Sequence, residues 1–185
     1  PIPGAAANAV RDFFLPEGRP RGTPYKLLPM YQQIMSRERQ QLVMLAAFVE
    51  VALAKEGHDG MVGMNLLTKV QLPNLPTLYG AMLAGVDCIL MGAGIPREIP
   101  GALDALAEGR ETALRFEVQG DASSVAEHLR FDPGEHFEGS APPVLHRPKF
   151  IAIVSSHLLA TVMARKSTGR VDGFVIEGPT AGGHN

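Results

Sequence analysis

Residues 61–94 read MVGMNLLTKVQLPNLPTLYGAMLAGVDCILMGAG, and this stretch decides the fold class. It opens on an apolar run, Met61–Leu67, with almost no alternation, and closes near a second, Val86–Met91. Runs this short, bounded by Gly and Pro, fit strands covered on both faces, as in parallel sheets. Between them residues 76–84 carry a helical pattern that stops at Gly85. Strand, helix and strand in so little chain make a βαβ unit with a right-handed crossover. The rhythm continues downstream. A helical pattern at 98–108 ends at Gly109, and two more apolar runs lie at Phe150–Val154 and Val171–Ile176. Between these two, residues 156–166 show a stripe of Leu158, Leu159, Val162 and Met163, with Arg165 and Lys166 near the negative end of the helix dipole. The expectation is an α/β fold with strands at about 61–66, 86–91, 149–155 and 171–177, parallel and adjacent in that order.

Upstream, residues 28–56 read as a helix. Leu42, Leu45, Ala46, Val49 and Leu53 form one face, and Met44, Phe48 and Val51 make much of the other side apolar. The second half of this helix is therefore expected to be largely buried. Residues 1–27, with GRPRGTP at 18–24, read as a linker or surface segment. Residues 110–147 break the βα rhythm. They hold one candidate strand at 113–118, then DPGEH at 132–136 and SAPP at 140–143, and are expected to form an exposed insertion.

Composition narrows the function classes. The 185 residues are 45% hydrophobic and 19% charged, which is the range of a soluble globular domain. A net charge of −2 gives no general attraction to nucleic acid or an anionic membrane. No run approaches the roughly 18 apolar residues that span a bilayer. The single cysteine, Cys88, rules out an internal disulfide and any multi-cysteine metal site, and its apolar setting marks it as a small core residue. No metal-binding spacing is present. A cytoplasmic location is the default expectation.

In a parallel α/β sheet the chemistry sits beyond the carboxyl ends of the strands. The first run contains Asn65, which, if buried, must be satisfied either by a cofactor ring or by backbone groups. The second is followed by Gly92-Ala93-Gly94. These glycines allow backbone to approach a ligand or simply make a tight turn. Pro96 and Arg97 exclude a dinucleotide-binding G-x-G-x-x-G. The third leads into Ser155, Ser156 and His157, and the fourth into Glu177-Gly178-Pro179-Thr180-Ala181-Gly182-Gly183-His184. A glycine pair can lie against a planar ligand, and the histidine after it can move protons near neutral pH. A plain loop histidine accounts for the same residues. His58, His128, His136 and His146 lie in polar sequence and are expected to be solvated.

VDGFVIEGPTAGGHN at 171–185 resembles the signature of the nitronate monooxygenase family, and GMNLL and GVDCILMGAGIP are similar to that family's preceding strands. The resemblance covers roughly residues 60–185. It implies a (β/α)8 TIM barrel with noncovalent FMN, oxidising alkyl nitronates or nitroalkanes with molecular oxygen. It assigns flavin contacts to Asn65, Gly182 and Gly183 and the catalytic base to His184, and Gly92, Ser155 and Glu177, at the strand ends, are further cofactor-binding candidates. Glu177 stands where many members have a flavin-contacting glutamine, and Thr180 where they often have glutamate. Related barrels use a similar histidine in flavin-dependent enoyl-thioester reduction, so an enoyl-acyl-carrier-protein reductase using NAD(P)H is the alternative enzyme.

A complete barrel takes about 250 residues. With four strands in sight, a chain opening on Pro1 and stopping at Asn185 is expected to hold part of the barrel, residues 28–185. The family's phosphate loops are expected beyond it. A non-catalytic fragment that needs a partner is therefore the third expectation, and homo-oligomerisation is open.

Overall fold

The computed structural model describes residues 2–28, 30–118 and 127–181. In chain order the elements are α1 (Ala5–Phe13), α2 (Arg37–Ala54), β1 (Gly63–Leu67), α3 (Asn74–Leu83), β2 (Cys88–Gly92), α4 (Ile99–Ala107), β3 (Thr112–Phe116), β4 (Glu127–Phe131), a 3-10 turn at Pro133–His136, β5 (Lys149–Val154), α5 (His157–Lys166) and β6 (Gly173–Ile176). β1, β2, β5 and β6 form one sheet in that order, parallel throughout, as the sequence predicts.

The register sorts the sheet into two unlike faces. Ile89, Met91, Phe150, Ala152 and Val154 share a face and are buried in one core with Leu78 and Met82 of α3, Leu103 and Leu106 of α4 and Met163 of α5. On the other face Asn65 lies opposite Leu90, Leu90 opposite Ile151, and Ile153 opposite Val175. None of these four apolar side chains joins the core. The expectation of cover on both faces is thus corrected. Strands taken in chain order with crossovers of one hand put the packed helices on the same side, and the other face stays outside the main core, with Asn65 exposed and Leu90, Ile151 and Ile153 half-buried.

Both apolar-run pairs are anchored by the same device at the amino-terminal rim. The Asp87 amide donates to Val62 O (2.9 Å), and its carboxylate accepts from the Val62 amide (2.8 Å) and from Lys55 Nζ (2.6 Å). The Asp172 amide donates to Phe150 O (2.8 Å), and its carboxylate accepts from the Phe150 amide (2.8 Å) and pairs with Arg147. An aspartate that precedes a strand therefore clamps the start of its neighbour. The Lys55 ammonium, with the Val62 amide, holds the Asp87 carboxyl below the ordinary carboxylate range.

Several expectations change. Residues 1–27 contain a helix, α1, built on Ala5–Ala7, a run that the neighbouring Pro and Gly obscure. α2 starts only at Arg37. Ser36 caps it by accepting from the Arg39 amide at 3.3 Å, and residues 28–36 are not helical where described. Its buried face is Val43, Met44, Ala47 and Val51, whereas Ala46, Val49 and Leu53, from the expected inner stripe, are exposed. Residues 110–147 lie outside the main sheet, as expected of an insertion, but they are not uniformly exposed. β3 and β4 pair antiparallel, and Leu114, Leu129 and Phe131 are buried against the outer side of the helices.

His136, expected to be solvated, is fully buried. Its ring stacks on Phe131 at 5.4 Å, and its Nε2 lies 3.0 Å from Gln40 Oε1. Gln40 donates its own amide to Met35 O, so its oxygen faces the ring and the imidazole carries its proton on Nε2. Nδ1 has no partner, and a second proton there would find no acceptor. Burial, helped by the Arg37 charge, lowers the imidazole from 6.5 to about 4. The unfolded chain therefore binds more protons than the folded one between these values. The His136 contribution to stability should be fully present above pH 6.5 and fall on acidification by up to about 1.4 kcal/mol per pH unit, about 3 kcal/mol by pH 4. Urea unfolding across this range should show the slope, and His136→Phe, which keeps the stacked ring, should flatten it.

Candidate active site

Parallel strands bring their carboxyl ends to one rim, and that rim carries the described residues singled out by sequence. Asn65 sits one turn of the pleat inside it, on the face away from the packed helices. It is exposed, and its carboxamide makes no hydrogen bond with the described residues. The reading in which it is buried and bridges backbone groups is corrected: the side chain is exposed.

Gly92 ends β2 and is buried. A Cβ there would lie 3.0 Å from the Cβ of Ile153, so glycine lets β2 and β5 close at the rim. Its carbonyl accepts from both the amide (2.9 Å) and the hydroxyl (2.8 Å) of Thr68. Ala93 follows at φ 50° and Gly94 at φ 139°, where a Cβ would strike Thr68 at 2.9 Å. The turn is therefore tight, and Thr68 is what it closes on. Thr68 and the exposed Lys69, whose amide bonds Ala93 O at 3.2 Å, belong to this rim, and sequence reasoning missed both. Their only signal is position, directly after an apolar run.

Ser155 and Ser156 divide their work. Ser156 caps α5, its hydroxyl accepting from the Leu159 amide at 3.2 Å. Ser155 is exposed, and its hydroxyl makes no hydrogen bond with the described residues. Glu177 follows β6, with its amide on Val154 O at 2.9 Å and its carboxylate exposed. Thr180 is exposed beside a turn closed by the Ala181 amide on Gly178 O. Gly182, Gly183 and His184 lie outside the described residues. No match to this chain is found among family models, curated proteins or solved structures.

His157 starts α5 directly after Ser155 and Ser156, at this same rim, and is exposed. The other candidates fall away from the rim. His58 spans its own loop, from Ala54 O to the Gly60 amide. Cys88 begins β2 at the far end and is buried, as expected of a small core residue. Burial and the nearby Asp87 raise its thiol above the ordinary range. No cluster of three or more metal-ligating side chains occurs among the described residues. A cavity of about 360 Å³, lined by Asp104, Glu108, Arg147 and Arg170 among others, lies at the opposite, amino-terminal rim, where Arg147 is already tied to Asp104 and Asp172.

The carboxyl rim therefore carries the Asn65 carboxamide and the Ser155 hydroxyl, neither bonded to a described residue, with exposed Lys69 and Glu177, and the sheet face it borders bears half-buried Leu90, Ile151 and Ile153. A planar, mostly apolar ligand with a few polar edges suits such a face.

Proposed function

We propose that this rim binds FMN and that the protein oxidises alkyl nitronates, or the nitroalkanes from which they form, with molecular oxygen, on a (β/α)8 barrel of the nitronate monooxygenase type. The observation that carries the reading is the one-sided packing of the sheet. A sheet wound in one direction, with its packed helices on one side, supports a barrel wall over an open doubly wound sheet, which has helices on both sides. Asn65 and the Gly92 turn then border the barrel mouth, where the family resemblance places the flavin.

The residues fit the group. Leu90 and Ile153 offer an apolar wall to a flat ring. Asn65 has two donors and an acceptor to spare, and Ser155 has a hydroxyl. When bound, the flavin supplies the electron acceptor that passes electrons to oxygen. The chain's own task is to hold the substrate against it and to take one proton. His184 accepts the α-carbon proton of a neutral nitroalkane, and a nitronate arrives with that proton already gone. Lys69 adds positive charge at the rim, which favours an anionic substrate.

The test is flavin retention after incubation with FMN and desalting, followed by oxygen consumption with a pre-formed nitronate. Retained FMN, its loss in Asn65→Leu, and nitronate-dependent oxygen uptake are expected. NAD(P)H-dependent reduction of an enoyl thioester, with no oxygen uptake on nitronate, would assign the site to the reductase instead.

A further inference from the structure

The turn after β2 spends its acceptors on the end of β1 and keeps its donors. The Gly92 carbonyl accepts from both the amide (2.9 Å) and the hydroxyl (2.8 Å) of Thr68, and the Ala93 carbonyl accepts from the Lys69 amide (3.2 Å). The Ile95 carbonyl accepts from the Arg97 amide (2.8 Å). The successive amides of Gly94 and Ile95, by contrast, donate to no described residue. Both residues are exposed. The turn therefore faces solvent as an edge of donors.

This conformation has to be held. Ala93 lies at φ 50°, in the left-handed region that alanine rarely adopts. Such backbone persists only where its surroundings over-determine it. Thr68 supplies two contacts of different kinds. Its hydroxyl bonds the Gly92 carbonyl, and its side-chain carbons pack on Gly94, where an added Cβ would lie 2.9 Å from the Thr68 Cβ. Charge agrees with the donors. Lys69 leaves the same short segment and is exposed. The carboxylate nearest to the turn in sequence, Glu98, is occupied on β3, where it accepts from the Arg115 amide at 2.8 Å.

We infer that this turn, held by Thr68 and flanked by Lys69, is the oxyanion site of the carboxyl rim, and that it takes a small planar anion, a carboxylate or a nitronate. Successive backbone amides bind anions because their N–H dipoles are fixed in place before the charge arrives. Hydrogen bonds to an ionised acceptor are about twice as strong as neutral ones. One ammonium and a pair of amides match the single charge and paired oxygens of a planar monoanion better than the near-double charge of phosphate. Thr68 is a positioning residue here: it touches the turn and not the ligand. The inference extends the reading of this rim as a substrate site and does not require the flavin.

Amide nitrogen–proton spectra of the full chain in low-salt buffer test it, with sodium acetate, neutral acetamide and inorganic phosphate as probes. Acetate should shift the Gly94 and Ile95 amides saturably, acetamide should not, and phosphate should bind no more tightly than acetate. Without an anion both amides should exchange rapidly with solvent. Thr68→Val keeps the side-chain size but loses the hydroxyl, and should weaken acetate about fivefold, the worth of one ordinary hydrogen bond. Thr68→Ser should restore the affinity. Lys69→Met should weaken acetate by about the same factor and remove most of its salt dependence. Lys69 is exposed, so this variant should keep the circular dichroism of the parent and tests the site even where Thr68→Val fails to fold.

Slow exchange at Gly94 and Ile95 in the free protein would overturn the inference, because their donors would then be paired within the chain. So would shifts spread evenly over exposed amides, an affinity indifferent to both Thr68→Val and Lys69→Met, or phosphate bound much more tightly than acetate. A response to acetate without oxygen uptake on nitronates would sink the flavin reading and leave the oxyanion site standing. Oxygen uptake on nitronates without a response of these amides would overturn the oxyanion site alone.

Discussion

Arg147→Ala is expected to destabilise the fold by about 3 kcal/mol, within the range for breaking a buried charge pair. The guanidinium is only 14% exposed and holds four acceptors at the amino-terminal rim: Asp104 Oδ1 (2.8 Å), Pro148 O (2.9 Å), Arg170 O (2.6 Å) and the Asp172 carboxylate. It therefore ties the end of α4 to the starts of β5 and β6. Burial alone would raise the Asp172 carboxyl, yet the Phe150 amide, Arg147 and Arg170 together hold it below the ordinary carboxylate range. Removing Arg147 leaves a carboxylate, 13% exposed, with only the Phe150 amide and the largely solvated Arg170. Arg147→Lys should lose a large part of the same energy, because a single ammonium cannot reach four acceptors spread over a planar fork. In urea the midpoint should fall with the slope unchanged. A change below about 0.5 kcal/mol, the size of an ordinary surface substitution, would mean that water replaces the network without loss.

The sheet was legible because its strands announce themselves locally. Each is a continuous apolar run ended by Gly or by polar residues, and the intervening helices have their own period. What one residue stretch cannot reveal is which of two apolar helix stripes packs. On α2 both exist, Leu42-Leu45-Ala46-Val49-Leu53 and Val43-Met44-Ala47-Val51. The choice is made in α3, where a Cβ at Gly80 would lie 2.2 Å from Met44 O. That missing side chain lets the Met44 backbone settle on α3 and turns Val49 and Leu53 outward. His136 misled for a similar reason. Its neighbours are polar, but its burial is decided by Gln40, 96 residues away, and by Phe131.

The site divides in the same way. That Gly92, Ser155 and Glu177 stand at one rim followed from strand direction alone. That Asn65 is exposed did not, because it depends on a face that stays outside the main core. Thr68 was invisible because a threonine after a strand signals nothing until Gly94 is found packed on its Cβ.

On the proposal that the rim binds FMN, His184→Asn in the protein loaded with flavin should slow oxidation of neutral nitroalkanes by about 10²- to 10⁴-fold, the usual contribution of a general base. Asparagine has nearly the size of histidine but cannot take a proton at neutral pH. Flavin should stay bound, since the contacts proposed for Asn65, Gly92 and the Gly182-Gly183 backbone do not involve the imidazole. Pre-formed nitronates should be oxidised at close to the parent rate, because their α-proton is already gone. The contrast between the two substrates carries the test. A histidine that only shaped the loop would lower both activities together, through misfolding or loss of flavin. Equal loss on both substrates with flavin retained would remove His184 from the role of base, and the exposed Glu177 carboxylate, at the carboxyl rim, would be the next acceptor to test.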